Sequence, residues 1–116
     1  MIQKEHRKDK RLDSLNLTYV CVDDHGSIVQ KSMGRTLNVS ESGICLETHF
    51  SIDTSHFLTV TIALENKLVD IKGTVAFSRP GQEGKFETGV KFIEVDQQSR
   101  VVLHKFIELF KSIEAS

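Results

Sequence analysis

The sequence predicts a mainly β fold, a sandwich or small barrel of short strands followed by one C-terminal helix, on three observations. From Leu15 to Phe92 apolar side chains recur at every second position, the repeat of strands with one buried face. From Asp96 the repeat lengthens to three and four residues, that of an amphipathic helix. A chain of 116 residues also has room for one core and not two.

The elements run in order along the chain. Leu15, Leu17, Tyr19 and Cys21 alternate with mostly polar neighbours and form the first strand; Asp23-Asp24-His25-Gly26 is a turn whose glycine is free to take positive φ. A second, weaker strand runs from about Ile28 to Leu37, and small polar residues from Asn38 to Gly43 interrupt the pattern. Ile44, Leu46 and Phe50 resume it. Leu58, Val60, Ile62 and Leu64 give the cleanest alternation, ending at a hairpin turn over Glu65-Asn66-Lys67. Val69, Ile71, Val75 and Phe77 are expected on one face of a long strand, with Gly73 at a bulge or bend. Arg79 to Lys85, with the single proline and two glycines, reads as a loop. Phe86, Val90 and Phe92 mark the last strand. Short strands at this spacing indicate a sandwich or small barrel. Val102, Leu103, Phe106, Leu109, Phe110 and Ile113 line one side of a helix of about four turns. It is capped by Asp96, has Lys111 near its end, and is expected to lid an open barrel end.

Composition narrows the function. Charged residues make up 27% and apolar ones 39%, ordinary for a folded domain. The net charge of -1 is unevenly spread: residues 1–11 carry +3 and the remainder -4. A basic segment on an acidic body suits a local anion site better than a nucleic-acid surface. No apolar run suits a membrane span or signal peptide, so a cytoplasmic location is expected. Cys21 and Cys45 stand at no metal spacing and read as reduced packing residues. The histidines show no metal-ligand spacing either, and no nucleophile elbow, phosphate-binding loop or dinucleotide fingerprint occurs. No enzyme is expected, and no metal or cofactor.

Two segments remain. Arg7-x-x-x-Arg11, "RKDKR", lies in the polar stretch before the first strand, and Asn38 to Gly43, "NVSESG", lies between two strands. Each alone reads as solvated tail or simple turn. Their order and their separation of about thirty residues resemble the two-part signature Arg-x-x-x-Arg and Asp/Asn-x-Ser-x-x-Gly of PilZ domains, bacterial receptors for cyclic di-GMP. "GTVAFSR" (Gly73 to Arg79) and "ETGVKF" (Glu87 to Phe92) resemble the family's last long strands, with Phe77 where an aromatic is usual.

The resemblance implies a six-stranded antiparallel PilZ-type β-barrel with a C-terminal helix over 14–116, preceded by a flexible basic arm, 1–13. It implies a ligand site of Arg7, Arg11, Asn38, Ser40 and Gly43. Arginine presents a planar fork of donors that fits phosphate oxygens or the O6/N7 edge of guanine, which Lys8 and Lys10 lack. Asn38 and Ser40 would meet the guanine edge, and Gly43 would let the backbone turn without a Cβ. Arg35 reads as a solvated strand residue, and Phe77 and Phe86 as packing residues. The expected signal is ordering of the arm over cyclic di-GMP and altered contact with a downstream protein, with no nucleic-acid polymer as partner. The alternative is a PilZ-fold interaction module that binds no nucleotide.

Overall fold

A computed structural model describes residues 16–115. Leu15 and the basic arm with Arg7 and Arg11 lie outside the described residues. The elements are β1 (Asn16–Val22), β2 (Ile28–Val39), β3 (Gly43–Thr48), β4 (Phe57–Leu64), β5 (Lys67–Pro80), β6 (Phe86–Glu94) and α1 (Gln97–Ala115). The strands close into an antiparallel barrel in the order β1-β2-β3-β6-β5-β4, with β4 pairing back onto β1.

The two-residue alternation becomes the inside and outside of this barrel. Leu17, Tyr19 and Cys21 point inward from β1, Ile44 and Leu46 from β3, Leu58, Val60 and Ile62 from β4, and Ile71 and Val75 from β5. One barrel end is covered by α1, whose Val102, Leu103, Phe106, Ile107 and Phe110 join the same core. Asp96 Oδ1 accepts the Ser99 N–H at 2.7 Å, capping the helix. That bond holds the Asp96 carboxyl below its usual range. The helix continues to Ala115, beyond the expected end at Ile113, so Lys111 falls short of the last turn, which holds no basic residue.

Two bulges reset the alternation, and they correct the expected faces. In β2 the register shifts between Thr36 and Asn38, with Leu37 as the extra residue; in β5 it shifts between Val75 and Phe77, with Ala76 extra. Each extra residue inverts the side-chain direction of the positions beyond it. Asn38 would share the inward phase of Gly34 and Thr36, yet it points out. Phe77, expected inside with Val75, is 37% exposed on the outer face. A third shift lies at Lys72/Gly73, where the extra residue is Ile93 of the partner strand. Arg79 and Pro80, expected in a loop, are the last residues of β5; a proline at a strand's end removes no interior ladder bond.

The end of the barrel around β3, β5 and β6 is held by a chain of hydroxyls. Thr48 Oγ1 donates to the Phe50 carbonyl at 2.9 Å and so accepts from Thr88 Oγ1, also at 2.9 Å. Thr88 in turn accepts from Ser78 Oγ at 2.9 Å, and Ser78 accepts the Ile52 N–H at 3.0 Å. Every hydroxyl proton therefore has one available direction, and the segment from Phe50 to Ile52 is tied to three strands. Thr88→Val removes both an acceptor and a donor from this buried chain. Denaturant unfolding should show a loss of about 1–3 kcal/mol, with Ser78→Ala, nearer the surface, costing less.

Candidate functional site

Because of the two bulges, Asn38, Cys45, Gly89 and Phe77 fall on one outward rung across β2, β3, β6 and β5. They line a groove of about 480 Å³ together with Ser40, Ser42, Gly43, Arg79 and Lys91. Cys45 and Gly89 form its floor, Asn38 and the turn after β2 one wall, and Phe77 with Arg79 the other.

The turn wall is held by its own hydrogen bonds. Ser40 N–H donates to the Gly43 carbonyl at 2.8 Å, and Ser42 N–H donates to Ser40 Oγ at 3.3 Å. The Ser40 and Ser42 hydroxyls lie 3.1 Å apart, and Phe92 N–H donates to the Ser42 carbonyl at 2.9 Å, fixing the turn to β6. Asn38 Oδ1 accepts the Val39 N–H at 2.9 Å. An amide oxygen has a second lone pair and its NH₂ two donors, so Asn38 keeps hydrogen-bonding capacity for a ligand. Gly43 is not at positive φ, so what it supplies is the absence of a Cβ. It opens β3, where a Cβ would run into the Val90 carbonyl; close approach of strands is what requires glycine there.

The opposite wall is aromatic and cationic. A Cβ on Gly89 would overlap the Phe77 ring, so Gly89 lets the ring lie flat on the sheet. The Arg79 guanidinium lies 4.6 Å from the ring centroid and pairs with Glu87 at 3.2 Å. Next along the outer face, Glu47 pairs with Arg35 at 3.3 Å and with Lys85 at 3.7 Å. Arg35, expected to be solvated, is thus engaged in an ion pair. Its hydrogen bonds, together with the Lys85 charge, hold the Glu47 carboxyl below the usual carboxylate range against the opposing effect of burial.

A family model for the PilZ domain matches residues 5–109. The chain belongs to the PilZ domain family. Its structure is similar to the crystal structure of the PilZ domain of CeSA from a cellulose-synthesizing bacterium, at 11% identity and a TM-score of 0.56. That likeness covers 83% of this chain and 93% of the other, and it bears on the fold. No curated protein matches the chain.

Of the site residues expected of this PilZ domain, Asn38, Ser40 and Gly43 come together on the groove, while Arg7 and Arg11 lie outside the described residues. Sequence reasoning missed Arg79 and Lys91. Lys91 does alternate outward between Val90 and Phe92, but only the pairing of β6 with β3 puts it beside Gly43. The cysteines differ as well. Cys21 is buried, with Sγ 3.4 Å from His56 Nδ1, whereas Cys45 sits half-buried on the groove floor. Burial and Glu87 push the Cys45 thiol pKa up, with Arg79 opposing. Among the described residues no group of three His, Cys, Asp or Glu side chains is placed to hold a metal ion, and no helix is long and apolar enough to cross a membrane.

The Glu47 cluster makes a pH prediction. A carboxyl whose folded pKa lies below its unfolded value contributes stability above the unfolded pKa and loses it as pH falls toward the folded one. Stability measured from about pH 6 down to about pH 3 should therefore fall more steeply for the native chain than for Glu47→Gln. Parallel curves would show that the ion pairs with Arg35 and Lys85 contribute nothing.

Proposed function

We propose that this PilZ domain is a non-enzymatic, cytoplasmic receptor for cyclic di-GMP, bound in the groove between the turn after β2 and the Phe77–Arg79 wall. The observation that carries the reading is the convergence of Asn38, Ser40, Gly43 and Lys91 opposite an exposed aromatic ring and Arg79. A guanine offers a flat face to Phe77 and the O6/N7 edge to an arginine fork. Its phosphodiesters need cations, which Arg79 and Lys91 supply on an otherwise acidic body. Arg7 and Arg11 complete the phosphate contacts from the arm. The arm orders over the ligand, and the surface so formed is read by a downstream protein.

Calorimetric titration should show binding of cyclic di-GMP and none of GTP at comparable concentration. Equal binding of GTP would reduce the groove to a general anion trap. Arg7→Ala and Arg11→Ala should each weaken binding by about 10- to 150-fold, the loss of a charge-assisted hydrogen bond, and Lys8→Ala by much less.

Cys45 reports where the ligand sits. A thiol reagent should modify Cys45 and leave the buried Cys21 untouched, at a rate that rises with pH as the thiol ionises. Saturating cyclic di-GMP should slow that modification at least about tenfold, as expected where the bound fraction exceeds nine-tenths. Undiminished modification with ligand bound would place the nucleotide elsewhere.

A further inference from the structure

The turn Ser40-Glu41-Ser42 separates two cavities. Ser40 and Ser42 line both the groove and a second cleft of about 580 Å³ formed with α1, while Glu41 lines the second cleft alone. Between two hydroxyls that face the anion groove, the one carboxylate of the turn is thus directed to the other side. There it bonds His104 Nε2 of α1. A glutamate side chain has several rotatable torsions, so without that partner nothing shown would confine the Glu41 carboxylate to the helix side of the turn.

We propose that His104 is a positioning residue for anion binding: it keeps the Glu41 carboxylate on the helix side of the turn, away from the phosphates. The inference rests on the proposed function. Imidazole changes charge between about pH 5 and 8, and only its protonated form makes an ion pair with Glu41. Several charged groups of the described residues lie near His104. Glu108 and Lys111 of its own helix line the same cleft, Arg100 one turn earlier donates to the Val95 carbonyl at 3.2 Å, and Lys105 is held by Glu65 of the β4–β5 turn at 3.6 Å. Among the described residues, Glu41 is the charged group that faces it from the barrel side. A neutral imidazole can still donate its Nε2–H to Glu41 but no longer pairs with it as an ion, so the carboxylate is then held less firmly and affinity for a dianion falls.

The test is cyclic di-GMP affinity for the native chain and four variants at about pH 6 and about pH 8.5. At the lower pH, His104→Ala should weaken binding about 3- to 10-fold, the effect of one like charge in a partly solvated groove. Glu41→Gln should bind at least as tightly as the native chain, and Glu41→Gln added to His104→Ala should restore affinity. His104→Lys should keep its affinity at the higher pH, where the native chain loses it. His6, beside Arg7 in the arm, is a further imidazole present in every chain. The latch is therefore read as the pH-dependent difference between native and Glu41→Gln. A merely structural role would make Glu41→Gln as damaging as His104→Ala, and that result overturns the proposal.

A second readout needs no nucleotide. Modification of Cys45 by an anionic disulfide reagent, relative to a neutral one, should slow about threefold in His104→Ala and recover in the double variant. If the native chain binds no cyclic di-GMP while this ratio responds, the proposed function fails and the latch stands as a control of groove charge. If the nucleotide binds and neither readout responds, the latch fails.

Discussion

One extra residue in each of two strands organises this barrel's outer surface. A strand shows its side chains alternately to either side, so an inserted residue reverses every direction beyond it. In β2 the insertion of Leu37 brings Asn38 out, and in β5 that of Ala76 brings Phe77 out. The two bulges flank the β3–β6 pair, whose Cys45 and Gly89 are small enough to leave a floor between them. Without the bulges, the Asn38 amide and the Phe77 ring would point into a core already filled by apolar side chains.

The interior supports this surface from behind. Ser78 and Thr88 point inward beside Phe77 and Gly89, and their hydroxyls run in one direction from the Ile52 N–H to the Phe50 carbonyl. A buried hydroxyl without a partner is costly, so the chain holds only when all its members are in place. It fixes the spacing of β5, β6 and β3 at the level where the ring lies on the sheet. The turn wall is fixed differently, by backbone bonds to β3 and β6 and by Glu41 bonded to α1. One wall is tied to the core and the other to the helix, so a ligand spanning the groove would sense both.

Electrostatics obey the same local logic. The body carries net negative charge, yet its carboxylates near the groove are engaged: Glu47 by Arg35 and Lys85, Glu87 by Arg79, Glu41 by His104. Neutralisation by near neighbours leaves the field of Lys91 less opposed than the overall charge suggests, while Arg79 shares its charge with Glu87. Exposed pairs of this kind add little to stability; their weight lies in where they keep the charges.

The sequence by itself determined the strands and the C-terminal helix, because burial imposes a period of two on strands and about 3.6 on helices, and both periods are written in Leu58 to Leu64 and Val102 to Phe110. It also marked Asn38, Ser40 and Gly43, through a spacing shared with a family. Hidden from it were the positions where the period breaks. Phe77 is in phase with Val75 in the sequence and out of phase in the fold, since a bulge is defined by the register of a partner strand. Arg79 and Lys91 likewise became groove residues only once β6 had paired with both β3 and β5. Gly43 could be recognised as a required glycine, but the reason, the Val90 carbonyl against it, belongs to a distant strand. The contact between His104 and Glu41 spans 63 residues, and no local pattern links them. Local chemistry chose the elements, and contacts between distant strands decided which side chains share a surface.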